Sequence, residues 1–180
     1  MRRLVPFLLV AAAGAAVLWL RSDHGARALA WRGVDRELSA RYPDLPTTTP
    51  EQLAARLDAP QPPLLLDARQ PAEFAVSHLP GARRVDPDAI AAALADELAD
   101  VVRQREIVVY CSVGVRSAAV AQRLRQAGFE NVENLGGSIF RWANEGRPLV
   151  RDGRAVETVH PYNAVWGRLL DAPRRADVGR

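Results

Sequence analysis

Ile107-Val108-Val109-Tyr110 is apolar or aromatic at every position, so a strand built from it must be buried on both faces. Such a strand belongs inside a parallel sheet with helices on either side. Other segments follow the same rule. Leu64-Leu65-Leu66 reads as a second buried strand ending at Asp67, Val132–Leu135 as another, and Arg84-Val85 as a short one. Between them, residues 88–102 carry Ile90, Leu94, Leu98 and Val101 at helical spacing. Residues 118–127 predict a helix stopped by Gly128, and Ser138–Asn144 a final short one. Strands alternating with helices imply an α/β fold with a mostly parallel central sheet flanked by helices on both faces.

Proline and capping residues set the domain's edges. Tyr42-Pro43-Asp44-Leu45-Pro46 is forced into an extended path by its two prolines. Thr49-Pro50-Glu51-Gln52 then starts a helix, with Thr49 as N-cap, Pro50 in the first turn and Gln52 completing a capping box. The domain is therefore placed at residues 47–150, after a connector at 22–46. Residues 26–41 of that connector are helical in composition, with Leu29, Val34 and Leu38 as a modest apolar stripe, and are expected only to space the domain from a membrane. Residues 151–180 form an extension. Trp166, Leu169 and Leu170 predict a small helix that packs back on the domain, with a partner-binding segment as the alternative, whereas 172–180 are expected to be disordered.

Residues 4–20 form an almost continuous apolar run behind Met1-Arg2-Arg3. At a rise of about 1.5 Å per residue, that run sits at the short end of what spans a bilayer core of about 30 Å. A signal anchor over residues 1–21 fits better than a cleaved signal peptide. The small-x-small pattern Ala28-Leu29-Ala30 lies too far from the apolar run, while Trp19 and Arg21 suit an interface. Arg2 and Arg3 favour export of the domain; Arg21, Arg27, Arg32, Arg36 and Arg41 count against it. The expectation is a membrane-tethered, extracytoplasmic domain, periplasmic in a bacterium. A net charge of only +3, with acidic residues interspersed and no lysine, leaves no basic stripe for a nucleic acid.

Chemistry concentrates at Cys111, the only cysteine. A lone cysteine is most often a small buried hydrophobe. This one follows a strand, at the end where parallel sheets bind ligands. Gly114 lets the backbone fold closely around the sulfur, Ser117 is the expected N-cap of the next helix, and Arg116 adds a fixed cation. Amides from Val113 to Ser117, with that guanidinium, would lower the thiol pKa and hold an anion carried on sulfur. Cys111 is thus the candidate nucleophile, and Ser112, Val113, Gly114, Val115, Arg116 and Ser117 are candidate substrate-binding residues. Asp67 and Arg69 are supporting candidates: either a pair bracing the loop or a salt bridge without substrate contact. His78 reads as a hydrogen-bonded turn residue and Glu73 as a local cap or pair. With no second cysteine, an oxidised or persulfurated Cys111 must be discharged to an outside nucleophile. No metal site is expected, since no histidines, cysteines and carboxylates stand at ligand spacing, and no other cofactor is implied.

Three blocks together resemble the rhodanese (sulfurtransferase) family. Leu64–Asp67 with Ala68-Arg69, Glu73-Phe74 and Ser77-His78-Leu79-Pro80-Gly81-Ala82 is similar to its N-terminal signature. Cys111 to Ser117 is similar to its active-site loop; Gly128-Phe129, Leu135-Gly136-Gly137, Trp142, Gly146 and Pro148 resemble its closing segment. The resemblance implies a rhodanese-like fold and a sulfurtransferase that forms a persulfide on Cys111. The donor would be thiosulfate or a low-molecular-weight persulfide, and the acceptor a thiol, a cyanide-like nucleophile or a protein. Thiosulfate would want a second cation, for which Arg83 or Arg84 is the candidate. Two alternatives stay open. One is a non-catalytic or sulfur-relay binding module at the membrane. The other is a cysteine-dependent phosphatase or arsenate reductase, whose loops place five residues between cysteine and arginine. Here Ser112-Val113-Gly114-Val115 make four, a ring better suited to a single sulfur.

Overall fold

A computed structural model of the chain describes residues 23–178. The apolar run at 4–20, and with it the expected membrane segment, lies outside them. Among the described residues no helix is long and apolar enough to cross a membrane.

In chain order the elements are α1 (Asp23–Arg41), β1 (Thr47–Thr48), α2 (Pro50–Leu57), β2 (Leu64–Asp67), α3 (Pro71–Val76), β3 (Arg83–Arg84), α4 (Ala91–Glu97), β4 (Ile107–Tyr110), α5 (Val115–Gln126), β5 (Val132–Leu135), α6 (Ser138–Asn144), β6 (Leu149–Arg151) and β7 (Arg154–Val156). Strands one to five form a parallel sheet in the order β1-β5-β4-β2-β3, and β6 and β7 form a separate antiparallel hairpin. The α/β fold with a mostly parallel sheet is as the sequence predicts.

Alternation along the central strands builds two cores. Leu65, Val108 and Tyr110 face one side, against Leu53 of α2 and Ile139, Phe140 and Trp142 of α6. Leu66, Ile107 and Val109 face the other, against Leu94 of α4 and Val120 and Leu124 of α5. The predicted capping box at α2 is present: Thr49 Oγ1 accepts from Gln52 N, and Gln52 Oε1 accepts from Thr49 N. Asp67 pairs with Tyr110 across β2 and β4, so the chain leaves both strands at the same edge. Cys111 lies there.

Four local expectations change. The helix expected at 88–102 is only Ala91–Glu97. Ile90 adopts extended dihedrals (φ −73°, ψ 163°), so the helical phase linking it to Leu94 starts too late, and its side chain is 68% exposed. The helix after the cysteine begins at Val115, not at Ala118 behind a Ser117 cap, because Gly114 turns the chain at φ 113°, a conformation few other residues adopt. Ser117 is consequently inside the first turn. Helix α1 is more than a spacer: Val34 is buried, Arg141 pairs with Asp35 (3.2 Å), and a Cβ on Gly114 would meet Leu38 at 3.1 Å. Finally, the segment expected to be disordered from 172 is tied down through Ala176. Val159 N donates to Arg174 O (2.8 Å), Ala176 N to Val159 O (3.0 Å), and Ala172–Arg174 forms a 3-10 turn. Buried Val159 anchors this return and supplies its partners.

Candidate functional site

The loop after β4 is held from beneath by neighbouring elements. Cys111 N donates to Ser138 Oγ (3.1 Å), and that hydroxyl donates to Leu135 O (3.1 Å). The first amides of α6 continue the hold, Ile139 N to Cys111 O (3.2 Å) and Phe140 N to Ser112 O (3.1 Å). Asn134 on β5 takes the far end: its Nδ2 donates to Gly114 O (3.2 Å), and its Oδ1 accepts from the Ser117 hydroxyl (2.7 Å). A backbone fixed at so many points aims Gly114 N at the cysteine, where it donates to Sγ at 3.2 Å.

Cys111 is 1% exposed. Burial alone pushes its thiol pKa up, but the Arg116 guanidinium, the Ser117 hydroxyl and the amides of Ser117 and Gly114 outweigh it. The net shift is downward, towards the reactive thiolate.

Arg116 is itself held. Its two terminal nitrogens donate to Glu73 Oε2 (2.7 Å) and Oε1 (2.8 Å), and one also reaches Ser112 Oγ (2.9 Å). The Ser112 hydroxyl donates to Glu73 Oε1 at 2.9 Å. Glu73, 3% exposed, comes from the first turn of α3, where it also caps Gln70 N (3.1 Å). Burial would raise its carboxyl pKa, yet Arg116 and the Gln70 and Ser112 hydrogen bonds hold it below the usual carboxylate range. The local cap inferred from sequence is there; the contact across the site is an addition.

Cys111, Ser112, Val113, Val115 and Arg116 line a cavity of about 120 Å³, closed by Tyr162 and Trp166 from the C-terminal extension. The Tyr162 ring lies 4.7 Å from the Arg116 guanidinium, in cation–π contact. Gly114 and Ser117 support the loop without lining the cavity. Asp67 and Arg69 do not line it either. They form a buried bidentate pair (2.7–3.1 Å), both side chains fully enclosed, with Arg69 also donating to Ser77 O (2.6 Å). Arg83 pairs with Asp100 (3.1 Å) and Arg84 reaches Val85 O (3.4 Å); neither lines the cavity as the second cation expected beside the loop. His78 stacks on Phe74 (3.9 Å), its Nδ1 near Phe74 O (3.2 Å). Among the described residues no three His, Cys, Asp or Glu side chains come together to hold a metal.

Sequence reasoning did not find Asn134, Ser138, Tyr162 and Trp166 as parts of the site. The one available signal was the aromatic content of the extension.

Comparison with known proteins covers the same elements. The rhodanese-like domain profile matches residues 49–145, from α2 through α6. A sulfurtransferase of Allochromatium vinosum is 35% identical over 100 residues, 56% of this chain and 90% of that protein. The probable adenylyltransferase/sulfurtransferase MoeZ of Mycobacterium tuberculosis is 34% identical over 102 residues, which span 57% of this chain but only 26% of MoeZ. A tRNA uridine(34) hydroxylase of Pectobacterium carotovorum is 30% identical over 99 residues, 54% of this chain and 28% of its own length. The solved thiosulfate sulfurtransferase of Pseudomonas aeruginosa superposes with a TM-score of 0.56 at 28% identity, covering 63% of this chain and 21% of that one. With more than half its residues matched and its parallel sheet in place, this chain belongs to the rhodanese-like domain family.

Proposed function

We propose that the chain is a sulfurtransferase that carries sulfane sulfur as a persulfide on Cys111. The observation that carries this reading is a thiol lowered in pKa at the edge of a small cavity, with one backbone amide already on its sulfur. The Cys111 thiolate attacks the outer sulfur of a donor, thiosulfate or a low-molecular-weight persulfide. The donor's S–S bond breaks, sulfite or a thiolate leaves with the electron pair, and a new bond joins Sγ to the transferred sulfur. Amides at the Gly114 turn and the start of α5, with Arg116, stabilise the anionic terminal sulfur. A thiol, cyanide or a protein nucleophile then takes that sulfur and restores the thiolate. The apolar run at 4–20 behind Arg2 and Arg3 is the ground for including a membrane tether and an extracytoplasmic domain in the same proposal, against the five arginines from Arg21 to Arg41.

The test is a cyanide sulfurtransferase assay on the full chain, wild type against Cys111→Ser, with thiosulfate and glutathione persulfide as donors. Thiocyanate formation and a single-sulfur mass adduct, both lost in the variant, are the expected results. A wild-type protein that acquires no sulfur from either donor overturns the reading.

A further inference from the structure

The C-terminal extension lies outside the family match, yet it supplies two of the side chains that line the Cys111 cavity. We propose that Tyr162 and Trp166 form a donor-selecting wall that fits the site to an organic persulfide with an apolar carbon beside its sulfur, in preference to thiosulfate. The inference rests on the sulfur-transfer reading and names the substrate class within it.

The first argument is charge. Thiosulfate is a dianion, and the cation lining the cavity is Arg116. Its two terminal nitrogens are engaged by Glu73 and its ring-facing side is covered by Tyr162. Glu73 already shares that guanidinium, so thiosulfate, which carries one more negative charge than the persulfide sulfur, would need a further cation that the cavity lining does not hold. Arg83 and Arg84 are turned to other partners. His160, next to the wall, adds no charge near neutral pH. Burial, opposed by Glu73 and aided by Arg69 and Arg116, lowers its pKa from the ordinary imidazole value.

The second argument is the lining. Val113, Val115, Tyr162 and Trp166 surround the approach to the sulfur. A volume of about 120 Å³ is roughly that of four water molecules, room for a terminal S–SH and its first carbons. The rest of such a donor must leave past Tyr162, which is 45% exposed.

The third is that the wall is built rather than incidental. Tyr162 takes a left-handed conformation (φ 62°), a strained choice for a non-glycine residue, and its N–H donates to His160 Nδ1 at 3.0 Å. Asn163 Oδ1 accepts from both Val165 N and Trp166 N (3.0 Å each) and so fixes the 3-10 turn Trp166–Leu169. Gly167 lets Pro161 approach, since a Cβ there would stand 2.9 Å from the proline ring. Asn144 on α6 clamps the end of that turn, its Nδ2 donating to Leu169 O and its Oδ1 accepting from Asp171 N, both at 2.8 Å.

The chemistry balances without a co-reactant. With R–S–SH as donor, the Cys111 thiolate displaces R–S⁻ from the outer sulfur. The proton of that sulfur passes to the departing thiolate, leaving Cys111–S–S⁻ and R–SH. The sulfane sulfur changes carrier with no net oxidation.

The experiment measures loading of Cys111 in the full chain by intact mass, giving kcat/KM for thiosulfate, glutathione persulfide and benzyl persulfide. Wild type should prefer benzyl persulfide to thiosulfate. Tyr162→Ala should lower that preference about tenfold, the scale of a lost aromatic contact together with an uncovered guanidinium. Tyr162→Arg, which adds a cation at an exposed position, should raise thiosulfate loading outright. A wild type that prefers thiosulfate, or an unchanged preference in both variants, overturns the wall while leaving sulfur transfer standing. Loading by none of the three donors overturns sulfur transfer, and the wall with it.

Discussion

Glu73 grips both terminal nitrogens of Arg116, at 2.7 and 2.8 Å, and thereby ties α3 to the loop that carries the thiol. The contact gives the cation a fixed place beside Cys111. It also shares that cation's charge, so Arg116 still lowers the thiol's pKa but a dianionic ligand would need a second cation, which the cavity lining does not hold. Both consequences come from one carboxylate contributed by a distant helix.

Glu73→Gln removes the ion pair and the acceptor of the Ser112 hydroxyl while glutamine still completes the capping box at Gln70. Arg116 would be left partly buried without its carboxylate. Its side chain is 23% exposed, so water can recover part of the loss, and about 2 kcal/mol of destabilisation is expected. Urea unfolding checks this as a lower midpoint with an unchanged slope. An unmoved midpoint would show the pair to be energetically idle.

Arg116→Gln removes the charge that opposes burial at Cys111. The thiol pKa should then rise, and the pH profile of iodoacetamide alkylation should move to higher pH. At neutral pH the alkylation rate should fall with the thiolate fraction. If the profile stays where it is, the amides of Gly114 and Ser117 suffice and the guanidinium is not the cause.

The sequence showed what lies contiguous in the chain and hid what folding brings together. Ile107 to Ser117 is a single stretch, so the strand, thiol, turn and cation could be read from neighbours alone. Strand β5 and helix α6 were legible for the same reason, each carrying its own apolar pattern. Glu73 was read as a local cap because its capping partner is three residues away, whereas Arg116 is forty-three. Tyr162 and Trp166 arrive through a return path set by Val159, Leu169 and Leu170, buried residues with no clear periodicity between them. The start of α5 was misplaced because a serine is the commoner cap, and only the left-handed Gly114 allows an earlier start.

Asp67 and Arg69 bear on stability rather than on sulfur chemistry. Asp67→Asn would leave a fully buried guanidinium without its counter-charge, a loss expected to cost about 3–5 kcal/mol. The double variant Asp67→Leu with Arg69→Met should recover much of that loss, since a buried pair is often replaceable by apolar side chains. Alkylation of Cys111 in the folded double variant should keep the wild-type pH profile. A displaced profile would place the pair in the thiol's electrostatic environment.

A depressed thiol pKa also makes stability depend on pH, with a definite sign. The unfolded chain holds a cysteine of ordinary pKa, while the folded value is lowered from it. Between the two, the native state carries thiolate and the unfolded state thiol. The unfolded state therefore binds more protons, and unfolding free energy rises with pH across that window. The contribution is complete above the unfolded value and is lost as pH falls through the folded value. Cys111→Ser abolishes it, while the carboxylates titrate alike in both proteins and cancel in the difference. Urea unfolding from about pH 5 to about pH 9.5 should show wild type gaining on the variant with rising pH, then a plateau. A wild-type advantage that shrinks as pH rises would mean that burial outweighs Arg116 and the two amides. The site would then hold a neutral thiol, and sulfur transfer at neutral pH would need a proton acceptor that none of these contacts supplies.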